Sequence, residues 1–327
     1  PSVFTTSGTW VCPAGVTTIQ VEAWGGGGAG GNGGSSNKNA GGGGGGGGYS
    51  RLTSVSVTPG NSYTITVGIG GTASVTVGAD GGNGNISTAT FGATTITANG
   101  GNGGRGYSNG ANGGNGGNGN LFSGGNGANG NSATGVAGGG GEGAGTTATG
   151  GNATGCTGGS GTDGGNGASY SDCGGGNSGA GTTATTATGY GGGGSGSDKN
   201  TQAGGGASGA VRITFSCPSN TPSAGSNQIL ASCTTSTTLA GSAIPSGMTG
   251  TWTVISGTAT ITTPNSPTST VTGLALPATN GGTATATLRW TIDNGRCGSS
   301  FSDVTITTSR GPGCYVYCTA GGTTNTV

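Results

Sequence analysis

The feature that most constrains this chain is a run of eight consecutive glycines, 41–48, inside a longer glycine-rich stretch that extends over 24–212. The chain has 87 glycines, and all but 14 of them precede residue 217. Glycine loses more backbone entropy on folding than any other residue, and it adds no side chain to a core. Such a stretch therefore either stays disordered or is held by dense hydrogen bonding between main-chain groups.

Composition and charge exclude several classes of protein. Only 28% of the residues are hydrophobic and 5% are charged, but eight basic residues balance eight acidic ones, whereas disordered chains usually carry a high net charge. A formal net charge of zero argues against a nucleic-acid partner. No apolar run approaches the roughly 18 residues of a membrane span. We therefore expect neither nucleic-acid binding nor a membrane span.

Short strands are predicted around and between the glycine runs. Apolar and polar residues alternate over several short segments, which is the period of a half-buried strand. The predicted strands cover 5–10, 16–24, 49–58, 63–69, 73–77, 94–98 and 209–215. The glycine runs then become insertions in an antiparallel β scaffold.

Asparagine recurs at every third position within the insertions, at Asn109, Asn112, Asn115 and Asn118, with glycine between. Three residues per turn is the period of the polyproline II-type helix, which has no internal hydrogen bonds. Glycine lets such helices approach closely enough to bond side by side. We expect a bundle of left-handed glycine helices, with Asn and the few large side chains facing outward. The alternative is that the runs are flexible linkers.

The composition changes after residue 217, and further strands are predicted at the spacing of a β-sandwich. They cover 228–240, 250–263, 269–274, 284–293 and 301–309, with Trp252 and Trp290 in the core. The predicted fold class is all-β, with an antiparallel scaffold that carries polyglycine II-type helical insertions, followed by an Ig-like β-sandwich. The predicted divisions are 1–217, a linker at 218–225, the sandwich at 226–310, and a tail or further module at 311–327.

The eight cysteines predict disulfides, because the chain has no C-x-x-C pair and no histidine for a mixed metal site. Disulfides indicate an oxidising, extracellular location, and we expect a processed, secreted chain. Each bond would stabilise the fold by about 2–4 kcal/mol. Eight cysteines allow many connectivities, and the pairs that we hypothesise are Cys12–Cys217, Cys156–Cys173, Cys233–Cys297 and Cys314–Cys318.

Residues that carry catalytic chemistry are scarce. The absence of histidine excludes Ser-His and Cys-His nucleophiles and histidine metal sites. The eight carboxylates are scattered along the chain, which does not favour a paired-carboxylate hydrolase. The segments 158–163 and 193–198 match the first six positions of a calcium-binding nonapeptide, but the aliphatic residue that should follow is missing, and loop aspartates are the simpler interpretation. We expect no enzyme activity, no cofactor and no metal.

A few large side chains stand alone among the glycines. They are candidates for a contact surface, since exposed aromatic residues supply contact area at low entropic cost. Alternatively, they pack under the loops. These residues are Tyr107, Leu121, Phe122, Tyr170 and Tyr190.

Two parts of the chain resemble known families. The opening WVCPAGVTTIQVEAWGGGG at 10–28 and the closing GGGASGAVRITF at 204–215 resemble glycine-rich domains of bacteria and phages, which implies packed polyglycine helices of the kind found in phage tail-tip adhesins. TWTVISGTATITTPNSPTSTVTGL at 251–274 and LRWTIDNGRCGSSFSDVTI at 288–306 look like the PKD-like, Ig-type repeats of Bacteroidetes-type secreted surface proteins. The second resemblance implies a stalk module.

These observations together predict a secreted, non-catalytic surface adhesin or adhesin-like fibre component that binds a cell-surface glycan or protein through its glycine-rich loops. The alternative is a structural subunit of an extracellular filament or sheath, whose partners are copies of itself. A weaker third possibility is an ice-binding protein, since flat Thr- and Gly-rich surfaces are possible.

Overall fold

The computed structural model describes residues 1–36, 38–160, 164–169, 189–199, 201–312 and 314. The described chain is all-β, and every strand pair but one is antiparallel, which confirms the all-β, antiparallel part of the predicted fold class. Its only helices among these residues are two 3₁₀ turns, Tyr107–Asn109 and Gly295–Cys297. Contacts divide the chain into a first unit, 1–12 with 17–216, and a second unit, 13–16 with 217–327.

The first unit contains two four-stranded antiparallel sheets. The strand order is β1-β8-β3-β4 in one sheet and β2-β5-β6-β7 in the other. Alternation of buried and exposed side chains, as in Ser62–Thr66, gives each sheet an apolar face. The strands are β1 Ser2–Phe4, β2 Gly8–Val11, β3 Thr18–Trp24, β4 Tyr49–Ser56, β5 Ser62–Thr66, β6 Ser87–Phe91, β7 Thr94–Ala98 and β8 Ala210–Thr214.

The strand predicted over 73–77 is wrong. The segment ASVTV alternates as a strand would, but it forms bends and a turn, and Val75 and Val77 are exposed. It connects two glycine segments, and Gly78 closes it in the left-handed region while its N–H donates to Gly33 O at 2.8 Å. An alternating pattern predicts a strand only where another strand is available to pair with it. Strands β1 and β6 were missed, because β1 has only three residues and β6 has only two apolar residues among five.

The glycine stretch is held together by main-chain hydrogen bonds, and the run 41–48 shows the pattern most clearly. Its N–H groups donate to three neighbouring segments in turn, each contacted at every third residue, and its carbonyl groups accept from three others in the same way. The N···O distances are 2.7–3.0 Å. Six segments therefore surround this run. The segments that accept are 99–105, 125–128 and 191–197, and those that donate are 25–31, 114–117 and 138–144.

We call the segments that bond in this way glycine rods and their assembly the glycine array. Residues 41–48 are all buried, so the described part of the stretch is not a solvated linker. The rods 25–32 and 138–144 also bond six neighbouring segments, and the outer rods repeat the same main-chain pairing with fewer neighbours. The rods are 25–32, 41–48, 68–71, 79–85, 99–105, 112–118, 124–130, 138–144, 150–153, 158–160, 164–168, 191–197 and 203–209.

Glycine is required in the rods by lack of space rather than by backbone angle. A Cβ added to Gly43 would overlap the carbonyl of Gly139, and one added to Gly46 would overlap the carbonyl of Glu142. None of the glycines at 41–48 has a positive φ, so an L-residue could adopt the local backbone conformation. Only the absence of a side chain lets six neighbours approach together.

The rods run back and forth between two ends. Gly25 N bonds Gly48 O next to the sheet, and Gly31 N bonds Gly42 O at the far end. We call the end next to the sheet proximal and the other end distal. The proximal turns are 119–123, 145–149 and 189–190. The distal turns are 33–36 with 38–40, 72–78, 106–111, 131–136, 154–157, and 198–199 with 201–202.

The second unit has a conventional core between two sheets, ordered β11-β14-β15-β9 and β10-β13-β12. Trp252 and Trp290 are buried with ring centroids 5.1 Å apart, which confirms their predicted place in the core. Their indole N–H groups donate to the carbonyls of Pro267 and Ser242, each at 3.2 Å. The strands are β9 Gln228–Ile229, β10 Thr237–Thr238, β11 Thr249–Ser256, β12 Thr260–Ile261, β13 Thr270–Thr272, β14 Thr283–Asp293 and β15 Ser299–Ser309.

Two disulfides lie in the second unit, Cys217–Cys297 and Cys233–Cys314, with Cα–Cα distances of 5.5 and 5.3 Å. Their presence indicates an oxidising environment. The hypothesised pairs Cys12–Cys217, Cys233–Cys297 and Cys314–Cys318 are therefore wrong. Cys156 is also disulfide-bonded, while its hypothesised partner Cys173 and residue Cys318 lie outside the described residues.

The length of β15 explains why the predicted pair fails. Cys297 precedes the start of β15, whereas Cys233 donates its N–H to Ser309 O at the end of that strand. Eleven strand residues separate the two ends by roughly 33 Å, and a disulfide requires Cα atoms within roughly 7 Å. Cys314 follows the same strand end and can reach Cys233.

Candidate functional site

Four aromatic rings pack together where the rods meet the sheet. β3 ends at Trp24 and β4 begins at Tyr49, and the two residues are register partners with ring centroids 5.1 Å apart. Phe122 stacks 6.2 Å from Tyr49, and Tyr190 lies 5.5 Å from Trp24. Two proximal turns are thereby anchored to the sheet by the large side chains that they carry.

A charged network underlies this aromatic cluster. The buried Glu22 carboxylate accepts two hydrogen bonds from Arg212, at 2.6 and 2.7 Å, and one from the Tyr49 hydroxyl at 2.7 Å. Because Glu22 and Arg212 are register partners on β3 and β8, the pair also ties two strands together. The Arg212 guanidinium lies 5.3 Å from the centre of the Trp24 ring, a cation–π distance.

The network shifts the pKa values of Glu22, Tyr49 and Arg212. Burial opposes ionisation of Glu22, but the hydrogen bonds from Arg212 and Tyr49 and the charge of Arg212 outweigh it and lower the pKa of the carboxyl. Burial, followed by the hydrogen bond to Glu22, raises the pKa of Tyr49 well above its ordinary value. The hydrogen bond with Glu22 likewise raises the pKa of Arg212. All three groups are therefore held in one charge state near neutral pH, which suits a structural or binding role and not proton transfer.

A pocket of about 400 Å³ opens beside this network. Its side-chain lining includes Val3, Trp24, Tyr190 and Arg212, and glycines form much of the remaining wall. Tyr190 is 38% exposed, so part of this residue is accessible to solvent. The pocket presents the apolar ring surfaces of Trp24 and Tyr190 beside the guanidinium of Arg212. The carboxylate of Glu22 accepts two hydrogen bonds from this guanidinium.

The distal turns form a second surface that carries side chains. Val75 is 87% exposed, and Val77 and Tyr107 are also exposed. Their turns are joined by the hydrogen bond from Ser108 N to Gly78 O, at 3.3 Å. Two neighbouring turns thus place apolar side chains at the far end of the array.

One buried asparagine ties several distal turns together. The Asn32 amide donates to the carbonyls of Ser74 and Thr76, at 2.8 and 2.7 Å, and its Oδ1 accepts from Ala203 N at 2.8 Å. The Asn32 carbonyl also accepts from Tyr107 N at 3.0 Å. Sequence reasoning missed this residue, because one buried Asn-Gly pair looks the same as the exposed ones in a stretch of repeated Asn-Gly.

Exposed asparagines close the outer edges of the array. An outer rod has no neighbour on one side, so every third N–H would lack an acceptor. The side chains of Asn83, Asn126 and Asn129 supply one, because each Oδ1 accepts a hydrogen bond of 2.8 Å from a glycine N–H of the adjacent rod. These three asparagines are exposed, and so are Asn109, Asn112, Asn115 and Asn118, for which an outward orientation was predicted.

Within the described residues, the carboxylates do not gather into a group that could hold a metal ion. Asp80 binds Arg105 at 2.8 Å and also accepts from Gly106 N and Asn109. Burial raises the pKa of Asp80, but these three hydrogen bonds outweigh it and leave the pKa lowered. In the two calcium-like segments, Asp198 is buried and contacts Thr201 at 3.1 Å, whereas Asp163 lies outside the described residues.

The predicted contact residues do not form one surface. Tyr107 is at the distal end, whereas Leu121, Phe122 and Tyr190 are at the proximal end, one rod length of about 20 Å away. Phe122 and Tyr190 pack on the sheet, while Leu121 is exposed. Tyr170 lies outside the described residues.

Comparison with known proteins places the first unit in a family. A search of curated proteins finds no match to this chain. Among the described residues, no helix has the length and apolar character needed to cross a membrane. A family model described as a glycine-rich domain matches residues 3–216, which is more than half of the chain. The chain therefore belongs to the glycine-rich domain family.

Proposed function

We propose that this protein is a secreted, non-catalytic surface adhesin whose distal turns contact a cell-surface glycan or protein. The second unit would act as an Ig-like, PKD-like stalk. The observation that carries the proposal is that a densely hydrogen-bonded array brings six turns from separate parts of the first unit to one end. Loops held by a rigid scaffold are a common way to build a binding surface.

The proposal includes the identity of the rods as left-handed polyglycine II helices. Support comes from the three-residue period of their hydrogen bonds, the six neighbours of 41–48, and the absence of positive φ in that run. Amide hydrogen exchange tests the rigidity that this packing requires. Exchange across 41–48 should be much slower than across the distal turn 131–136. Equal, fast exchange in both segments would contradict the proposed packing of the rods.

Because the rods are held together by main-chain hydrogen bonds, their packing depends little on the sequences of the distal turns. The rods are stabilised by main-chain N–H and C=O groups, and the side chain of Asn32 bonds only main-chain groups of Ser74, Thr76 and Ala203. Turns that are free to vary in sequence suit recognition of different surface ligands. Val75, Val77 and Tyr107 supply the apolar contact area in this chain.

Binding of the labelled, oxidised full chain to a glycan microarray and to a panel of intact bacterial and animal cells tests the proposed role. The double variant Val75→Ser/Tyr107→Ser should lose binding about tenfold or more, because apolar anchors dominate interface energies. The matched control is Leu121→Ser, which removes an exposed apolar residue at the proximal end and should leave binding unchanged. Equal loss in both variants would contradict a distal contact surface.

The second candidate function is a filament subunit, and one observation favours it. Strand β9 pairs with only Ile306 and Thr307 of the 11-residue β15, so within the described part of the second unit the outer edge of Ser299–Asp303 has no strand partner. Such an edge can accept a strand from another copy. Sedimentation of the purified chain distinguishes the two proposals: polymers support a filament, and a monomer or small oligomer supports the adhesin.

A further inference from the structure

The first unit contains eleven described steps in which asparagine is followed by glycine. Such steps are chemically labile, because the glycine nitrogen can attack the Cγ of the preceding asparagine side chain. A new N–C bond forms, ammonia leaves, and a five-membered succinimide results. Water then opens the ring at either carbonyl and produces aspartate or isoaspartate. All eleven steps have the same two residues, so any difference among them must come from the fold.

Hydrogen bonding protects most of these steps. The attacking nitrogen must lose its proton, and an N–H that donates to a fixed acceptor is held away from that reaction. Nine of the eleven glycine N–H groups have such an acceptor. Three of the nine, those of Gly103, Gly113 and Gly116, are bonded to side chains of asparagines on the adjacent rod. The side chains of Asn83, Asn126 and Asn129 therefore have a second effect besides satisfying the outer rods. They protect the asparagines that precede Gly103, Gly116 and Gly113 from deamidation.

Two steps lack this protection. The N–H groups of Gly100 and Gly119 have no hydrogen-bond acceptor among the described residues. The preceding Asn99 and Asn118 are both exposed, and they lie side by side, because Asn99 N donates to Asn118 O at 2.9 Å. Both steps are at proximal rod ends, where a rod meets a strand or a turn instead of a further rod.

Asn118 has a second feature that favours reaction. The hydroxyl of Ser123 donates to Asn118 Oδ1 at 3.0 Å. A donor on this oxygen draws electron density from Cγ and stabilises the negative charge that develops during attack. We infer that Asn118, followed by Asn99, is the deamidation site of the folded first unit.

The experiment follows deamidation site by site in the oxidised full chain, incubated at mildly alkaline pH, by peptide mass spectrometry with fragmentation that separates aspartate from isoaspartate. Conversion at Asn118 should exceed that at Asn102, Asn112 and Asn115 by about tenfold, the factor expected from one protecting hydrogen bond. The chain in denaturant serves as the reference, and there all four residues should react at similar rates. Equal rates in the folded chain, or no reaction at Asn118 while the denatured chain reacts, would overturn the assignment.

Single substitutions on the exposed edge test the mechanism. Asn126→Ala removes the acceptor of Gly116 N and should raise conversion at Asn115 about tenfold, and Asn129→Ala should do the same at Asn112. Asn152→Ala is the matched control, because it releases the N–H of Asn126, which does not follow an asparagine. It should create no new reactive site.

A misfolded variant is recognised by reaction at the buried Asn32, which stays protected in the folded unit. If Asn115 stays unreactive in folded Asn126→Ala while Asn118 reacts, the protective role of the edge is wrong.

Discussion

The glycine array and the core of the second unit achieve order in opposite ways. Around Trp252 and Trp290, buried side chains from two sheets exclude water and supply most of the stabilisation. The residues at 41–48 have no side chains, and successive N–H and C=O groups point to different neighbours, each of which is contacted again three residues later. The comparison teaches that close packing of main chains can replace a side-chain core, provided that nothing protrudes from the rods. Substitutions should therefore have opposite consequences in the two regions.

Adding one methyl group to the array should cause the largest effect. Gly46→Ala places a Cβ on the main chain of Glu142. Because the surrounding rods are closely packed, the main chain of Glu142 cannot move away, and the free energy of unfolding of the first unit should fall by more than about 4 kcal/mol. Calorimetry and circular dichroism measure the loss.

The matched control for this substitution is Gly92→Ala, where φ is +60° but nothing lies within 4 Å. Its cost should be about 1–2 kcal/mol, from backbone strain alone. Similar losses at both positions would show that space is not what the array requires.

Removing a side chain should matter most in the second unit. Trp290→Ala leaves a cavity beside Trp252 and should destabilise that unit by about 3–5 kcal/mol. Exchange of the amides at 41–48 should not change. Ile229→Ala, at a position that is 84% exposed, is the control and should stay within about 0.5 kcal/mol of the parent chain. Faster exchange at 41–48 in Trp290→Ala would mean that the array depends on the second unit.

The ion pair between Glu22 and Arg212 lies where the sheet meets the glycine rods, and its removal should have a smaller effect. Glu22→Gln should cost about 1–3 kcal/mol at neutral pH, less than a fully buried pair because the Arg212 side chain is 39% exposed. The folded pKa of Glu22 is lowered, so its contribution is complete above the unfolded pKa of about 4.3 and is lost as the pH falls through the folded value.

Denaturant unfolding at neutral and acidic pH measures this contribution. The difference between wild type and Glu22→Gln should shrink in acid. Arg105→Ala removes an ion pair whose arginine is 60% exposed, and it should cost no more than about 1 kcal/mol. A pH-independent difference for Glu22→Gln would contradict the assigned role of its charge.

The smallest effect is expected at the edge of the array. Asn152→Ala removes the acceptor of Asn126 N, a 2.7 Å hydrogen bond at an exposed position. Water can replace this acceptor, so the cost should be at most about 1 kcal/mol, with faster exchange at the Asn126 amide. A loss as large as that of Gly46→Ala would mean that the edge side chains, and not the rods, hold the array together.

Alternation in the sequence predicted most strands of both units, because one face of each strand is buried. It failed at 73–77, where the same alternation lies in a turn with no strand to pair with. The spacing of asparagine predicted the three-residue period of the hydrogen bonds and the exposure of Asn112, Asn115 and Asn118. It could not show that an asparagine side chain accepts a hydrogen bond from a glycine N–H of the adjacent rod, since that depends on which rods are neighbours.

The isolated aromatic residues show the limit of sequence reasoning about the site. Tyr107, Phe122 and Tyr190 looked equivalent as large side chains among glycines. Two of them pack on Trp24 and Tyr49 and one is at the distal end, because the rods reverse direction between them. The number of residues in each rod decides which end a side chain reaches.

By itself, the sequence determined that this chain is all-β, that its glycine stretch must be ordered through main-chain groups or not at all, and that proton-transfer chemistry based on histidine is absent. These properties depend on composition and period, which are local. Only the tertiary structure decided which rods are neighbours, which cysteines pair, and which turns share an end. Those outcomes depend on distances between residues far apart in the chain, and the lengths of rods and strands set these distances once the chain has folded.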